Sequence, residues 1–178
     1  MAELSVHDGG RAMARGGRIQ GYASRFGEAD RNGDVVAPGA FHASLGALAK
    51  ARRRLAFLWQ HDTKRPIGVW DRVIEDATGL WVEGGLLPEV ATGAEARALV
   101  AAGALDGLSI GYRVKRAEKN RGGPGRRLLE LDLWEVSLVT FPMLPTARAS
   151  LAPSATRPAG EPLAGILAGA LASRSGAM

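Results

Sequence analysis

Gly68-Val69-Trp70-Asp71-Arg72-Val73-Ile74, the turn Glu75-Asp76-Ala77-Thr78-Gly79 and the run Leu80-Trp81-Val82-Glu83-Gly84-Gly85-Leu86 decide the fold class. Two runs rich in β-branched and aromatic residues, joined by a short polar turn ending in Gly, predict an antiparallel hairpin. The connection is too short for the crossover that parallel neighbours need. Upstream, Leu55 to Trp59 is a compact apolar run that reads as a buried strand, stopped by Gln60-His61-Asp62-Thr63-Lys64-Arg65-Pro66. Before it, Phe41, Leu45 and Leu48 lie at helical spacing, and Arg52-Arg53-Arg54 follows where cations complement a helix C-terminus. Ile19 to Phe26 alternates as a first strand and runs into the turn residues Asp30-Arg31-Asn32-Gly33-Asp34.

Downstream, Thr92-Gly93-Ala94-Glu95 has the form of a capping box, and the Ala-rich sequence after it predicts a helix stopped by Gly103. Alternation returns from Gly107 to Val114, and Leu128 to Phe141 forms a long strand-like run closed by Pro142 and Pro145. Strands outnumber helices and most connections are short. The expected class is therefore α+β but β-rich: a mostly antiparallel sheet or small barrel surrounded by two or three helices.

The ends differ from this core. Residues 1–17 mix Gly, Arg and Ala without periodicity and read as a flexible N-terminal arm, leaving 18–151 as the domain. Residues 152–178 turn to Pro, Ala, Gly, Ser and Arg and read as a low-complexity C-terminal tail, although Leu163, Ile166, Leu167, Ala170 and Leu171 share one helical face.

A chain of 178 residues, 46% apolar and 23% charged, suits one domain plus tails. It has no cysteine, which excludes disulfides, thiolate metal sites and a Cys nucleophile. No run approaches the ~18 apolar residues of a membrane span, and residues 1–8 lack the apolar stretch of a secretory signal, so a soluble intracellular protein is expected. The net charge of +5 would suit an anionic partner. Seven of the cations lie between Arg113 and Arg127, against the single acid Glu118, in a segment holding Gly122-Gly123-Pro124-Gly125. That composition predicts a flexible basic loop. It holds no aromatic residue after Tyr112, so a base-stacking nucleic-acid surface is not expected. Asp30, Asn32 and Asp34 resemble the start of a calcium loop, but Val35 stands where that loop needs Gly and Phe41 where it needs a bidentate acid. A turn is the better reading, and no metal or other cofactor is expected.

Three residues carry the chemistry. In Gly107-Leu108-Ser109-Ile110-Gly111-Tyr112, alternation sends Leu108, Ile110 and Tyr112 one way and Ser109 the other, next to Gly111, where a missing side chain leaves room for a substrate backbone. Ser109 is either an ordinary strand serine or a nucleophile. A nucleophilic serine needs a base, and of the three histidines only His61 follows a buried strand that could hold it rigidly. The other reading of His61 is an exposed loop imidazole. Glu135 alternates onto the face of Leu129, Leu131, Leu133 and Val139, where a carboxylate is costly unless paired. Its partner is either His61 or an arginine such as Arg25 or Arg113.

Set in order, Gly21-Tyr22-Ala23-Ser24, Asp30-Arg31-Asn32-Gly33-Asp34-Val35-Val36 with Gly39-Ala40-Phe41, Leu58-Trp59-Gln60-His61-Asp62 with Pro66-Ile67-Gly68, Gly79-Leu80-Trp81-Val82-Glu83-Gly84, Gly107 to Tyr112 and Leu133 to Pro142 resemble the tailed-phage prohead proteases. That family is in turn similar to the herpesvirus capsid-maturation protease, assemblin, so the resemblance implies a herpesvirus-protease-like fold. It implies a serine endopeptidase with Ser109 as nucleophile, His61 as general base and Glu135 as the third member, with Asp62 the competitor for that last place. The implied substrate is the major capsid protein, cut at its scaffold or N-terminal segment inside the immature procapsid in the bacterial host's cytoplasm. A homo-oligomer remains open. The single Arg148, where herpesvirus relatives carry paired arginines, leaves the oxyanion hole unassigned. The rival reading keeps the fold without catalysis, as a capsid scaffolding or assembly protein.

Overall fold

The computed structural model describes residues 17–152 and the backbone of residues 2–5. Among these are nine strands and two helices: β1 (Ala2–Ser5), β2 (Arg18–Arg25), β3 (Val35–Val36), α1 (His42–Lys50), β4 (Ala56–Trp59), β5 (Asp62–Glu75), β6 (Gly79–Leu86), α2 (Ala91–Ala101), β7 (Gly107–Lys119), β8 (Arg126–Val139) and β9 (Ala149–Leu151). The expected hairpin is β5–β6, registered from Gly68 opposite Leu86 to Glu75 opposite Leu80. It forms the middle of one sheet ordered β3-β8-β4-β5-β6-β2-β9, with β1 on β5 and β7 on β8. Only β3 and β4 run parallel to their neighbour β8. The β-rich, mostly antiparallel class is the one expected from sequence.

Residues 147–151 link β2, near one end of this path, to the start of β7. β9 pairs with β2, while the Leu108 N–H donates to Ala147 O at 3.0 Å and the Ala149 N–H donates to Asp106 O at 2.7 Å. The core lies inside this curl. Ile19, Phe41, Ile67, Leu80, Leu108 and Leu138 are fully buried in it, each contributing about 1.5–3 kcal/mol relative to exposure. Phe57 and Trp70 stack at 3.8 Å between centroids, and the Trp70 indole N–H donates to Val136 O at 3.3 Å. That bond ties β5 to the strand that carries Glu135.

Helix α1 fills a gap on one edge of β8, between the stretches that pair with β3 and β4. Leu131 N–H donates to Ala40 O, and Leu133 N–H donates to the buried Ser44 hydroxyl at 2.8 Å. Helix α2 starts without the expected capping box. Val90 is the N-cap and has no side-chain cap, because Thr92 lies inside the first turn, where its hydroxyl accepts from Arg65 at 3.2 Å instead. Its C-terminus is as expected: Gly103 takes φ +71, which closes the helix without a Cβ clash.

In the stretch read as an N-terminal arm, Ala2–Ser5 pairs antiparallel with Arg72–Glu75, beyond the stretch of β5 that β4 covers. Backbone donors and acceptors left open there take a strand partner. The basic segment is not a loop but the distal half of the β7–β8 hairpin, with only residues 120–125 outside the strands. Cross-strand pairs offset its charge: Arg113 with Asp132 at 3.4 Å and Arg127 with Glu118 at 3.2 Å.

Candidate active site

The site begins at the end of β4. The chain reverses between Trp59 and Asp62 in two residues, Gln60 at φ +50 and His61 at φ +61. Both central residues of such a two-residue hairpin turn need positive φ, a region that costs a non-glycine residue about 1–2 kcal/mol. Local bonds over-determine the conformation. Gln60 N–H donates to Leu138 O at 2.9 Å, its side-chain amide donates to the Thr140 hydroxyl at 2.9 Å, and Thr140 N–H donates back to its carbonyl at 3.2 Å. The His61 N–H donates to the Ser137 hydroxyl at 3.1 Å. The imidazole is thus presented on a fixed turn, with 42% of its side chain exposed.

Glu135 reaches that turn because β8 contains a bulge. Opposite β7 the register passes from Gly111↔Glu135 to Tyr112↔Leu133, so Trp134 is an extra residue and lies 59% exposed. Before the bulge Leu131 and Leu133 face the core, and after it Val136 and Leu138 do. The change of parity takes Glu135 off the apolar face that simple alternation gave it and places it beside Ser137, which is fully buried. The Glu135 Oε1 lies 2.6 Å from His61 Nδ1, and its Oε2 accepts from the Ser137 hydroxyl at 2.6 Å.

The alternative partners are occupied elsewhere. Arg25 pairs with Glu28 at 3.1 Å, Arg113 pairs with Asp132, and Asp62 accepts from the Lys64 N–H at 2.9 Å. The His61 pKa is raised, first by its hydrogen bond to Glu135 and also by that carboxylate's charge, against an opposing contribution from burial. Protonated imidazole is stabilised by this pair, and neutral imidazole keeps its Nδ1 proton on the Glu135 side.

Ser109 stands on β7 directly opposite Ser137, with Leu108 opposite Leu138 and Ile110 opposite Val136 facing the core. Ser109 and Ser137 therefore share the face that bears Glu135. No hydrogen bond joins Ser109 to His61 among the described residues; the two are linked through the Ser137 position between them. Gly111 does not leave the room expected for a substrate. A Cβ there would overlap Glu135 Oε1 and come within 2.8 Å of its Cδ and Cγ, so the carboxylate itself fills the space. Room lies instead in a cleft lined by Ser109, Ala23, Val36, Tyr112 and Leu144, with Asp30 and Asp34 at its polar side. Burial, then the nearby Asp30 and Asp34 charges, push the Tyr112 hydroxyl pKa up.

Asp30, Asn32 and Asp34 make the expected turn: Asp30 Oδ1 accepts from the N–H groups of Asn32 at 2.8 Å and Asp34 at 2.9 Å. Asp34 faces Arg126, whose hydrogen bonds hold its carboxyl below the usual carboxylate range. Among the described residues no group of three or more His, Cys, Asp or Glu is arranged to hold a metal ion, and no helix is long and apolar enough to cross a membrane.

A family model described as caudovirus prohead serine protease matches residues 4–159. The chain belongs to that family.

Relatives of the family include the prohead protease of Enterobacteria phage HK97, 37% identical over 71% of this chain and 56% of that protein. The prohead protease of Escherichia phage T5 is 31% identical over 70% of this chain and 58% of that one. The chain thus spans less than three fifths of the length of these two curated relatives. A capsid polyprotein of Pseudomonas phage PAJU2 is 34% identical over 64% of this chain and 17% of its own length. Among solved structures, the capsid assembly protease of bacteriophage T4 has the same fold, with a TM-score of 0.55 at 13% identity over 78% of this chain and 84% of that one. A KSHV protease crystallised with a hexapeptide phosphonate inhibitor gives a TM-score of 0.48 at 13% identity over 76% of this chain and 64% of that one.

In this prohead protease family member the structure brings together His61 and Glu135, both singled out from sequence, sets Ser109 on the same face, and adds Ser137, Gln60 and Thr140, which the sequence did not single out. Ser137 carried a usable signal, since it lies two residues past Glu135 on the same strand and so on the same face. Gln60 and Thr140 carried none, because their pairing closes the sheet across 80 residues of sequence.

Proposed function

We propose that this chain is a serine endopeptidase that cleaves the scaffold or N-terminal segment of the major capsid protein inside the immature procapsid, in the cytoplasm of the bacterial host. The observation that carries the reading is the 2.6 Å contact between His61 Nδ1 and the buried Glu135, on the face that Ser109 shares. Membership of the prohead serine protease family supports it, as does the similarity to part of a capsid polyprotein.

With Nδ1 committed to Glu135, His61 takes a proton at Nε2. Ser109 Oγ attacks the carbonyl carbon of the scissile peptide as its proton passes to His61 Nε2, and the imidazolium formed is stabilised by Glu135. Collapse of the tetrahedral intermediate breaks the C–N bond, and His61 returns the proton to the departing amine. Water, deprotonated by the same nitrogen, then releases the acyl group from Ser109. The step requires Ser109 and His61 to close to hydrogen-bond distance in the substrate complex, as catalytic contacts that are long in the free enzyme commonly do. The segment 143–148 flanks Ser109 through the Leu108 to Ala147 bond, and we assign the oxyanion donors to backbone N–H groups of this segment other than Ala147, which donates to Leu144 O at 3.0 Å, and Pro145, which has none. Residues 153–178, outside the described residues, we assign on their separate composition to capsid targeting or to a segment the protease removes from itself; unchanged incorporation after their deletion excludes the targeting role.

Coexpression with the cognate capsid protein tests the assignment. Ser109→Ala and His61→Ala should each abolish processing. Persistent processing in both leaves the non-catalytic assembly protein as the reading.

A further inference from the structure

We infer that Ser137 is a positioning residue for the catalytic pair, its hydroxyl holding Glu135 and the backbone of His61 at once. The inference rests on the protease reading above and deepens it. Ser137 is fully buried, with 0% of its surface exposed. Its hydroxyl has one proton, given to Glu135 Oε2 at 2.6 Å, and its lone pairs accept the His61 N–H at 3.1 Å. Each bond answers a definite need. Glu135 is itself buried, and a buried carboxylate oxygen without a donor carries a large desolvation penalty. With Oε2 held by Ser137, the remaining oxygen Oε1 is the one aimed at His61 Nδ1. His61 sits at φ +61, a conformation that persists only where the surroundings impose it, and the bond to its N–H is one of those constraints.

The strand register adds a third point. Ser137 is the direct cross-strand neighbour of Ser109 and pairs with Leu58 of β4 on its other side, so it occupies the central strand between nucleophile and base. Two serines thus face each other across β7 and β8 with different duties. One is spent on the glutamate and the turn, and the other has no such bond and lines the cleft.

Losing the Ser137 hydroxyl releases Glu135 Oε2 and the His61 N–H at once and disfavours the buried carboxylate, so the contact that stabilises protonated His61 weakens. Ser137→Ala should therefore lower the His61 pKa toward its ordinary value, move the acid limb of the kcat pH profile to lower pH, and lower kcat on the order of tenfold to a hundredfold with KM little changed. Ser137→Thr keeps the hydroxyl and should retain the wild-type pH profile.

The experiment pairs processing kinetics of both variants with an NMR titration of the His61 imidazole in a Ser109→Ala background, which is inactive on the protease reading. A downward shift in the Ser137→Ala titration, absent in Ser137→Thr, supports the inference, and an upward shift overturns it. An unmoved titration in Ser137→Ala overturns it, as does an equal loss of kcat and equal titration in the two variants, which would make the position one of packing alone. The titration needs no turnover, so its outcome stands apart from the protease reading, which fails instead if Ser109→Ala still processes capsid protein.

Discussion

The carboxylate of Glu135 occupies the space that a side chain on Gly111 would need. Register sets the two residues directly opposite each other on β8 and β7, so the absence of a Cβ at 111 is a condition for the His61–Glu135 contact. Gly111→Ala should push Glu135 away from His61. The expected cost is about 1–3 kcal/mol of stability from overpacking, read by denaturant unfolding, and a loss of processing of at least tenfold. Full activity at wild-type stability would mean that Glu135 can leave the site without consequence.

Glu135 also gives the site a pH dependence whose sign can be worked out. The His61 pKa is raised in the folded protein above its ordinary value of 6.5. As a general base His61 must be neutral, so processing should rise with pH through this raised value. The stability linked to the same proton runs the other way: it is fully present below the unfolded pKa and is lost as pH rises through the folded one. Glu135→Gln removes the charge, so the acid limb should move to lower pH while the plateau rate falls. An acid limb that stays in place in Glu135→Gln would separate Glu135 from the titration.

The β5–β6 hairpin was legible from sequence because alternation and turn chemistry are local, and Gly103 because a helix stop is local too. The pairing of Glu135 with His61 was legible for another reason: a carboxylate among apolar residues must find a partner, and few were available. The face assigned to Glu135 was not, because the Trp134 bulge shows only in the register of β8 against β7 and leaves the local apolar pattern unmarked. Thr92 failed as a cap for a related reason, its hydroxyl being taken by Arg65 from β5. The basic segment 113–127 misled because charge and glycine content suggest a loop, whereas cross-strand ion pairs make it a hairpin.

Acid stability should depend on Asp34. Hydrogen bonds from Arg126, chiefly through its side chain and also its N–H, lower the Asp34 pKa. A depressed carboxylate pKa contributes stability above the unfolded value that is lost as pH falls through the folded one. Asp34→Asn should therefore melt several degrees lower at neutral pH, with the difference from wild type closing as the solution is acidified below the ordinary carboxylate range. A gap that stays constant with pH would assign the effect to packing and not to charge. Because Asp34 and Ser109 line the same cleft, processing should be measured alongside melting.

The identity of the extra residue in β8 should matter little. Trp134 is 59% exposed, so Trp134→Thr, which keeps the count and suits a strand, should change stability by roughly 0.5 kcal/mol or less and processing by about twofold at most. Deleting Trp134 is a different perturbation. With 133 and 135 adjacent, plain alternation keeps Leu131, Leu133, Val136 and Leu138 on the core face, Glu135 and Ser137 together on the other, and Glu135 opposite Gly111. What changes is the spacing between the pairings of β8 with β3 and with β4, which loses one residue. The deletion variant should therefore fold with a lowered melting temperature and keep measurable processing, and a folded deletion variant without processing would show that the extra residue itself is needed to aim Glu135.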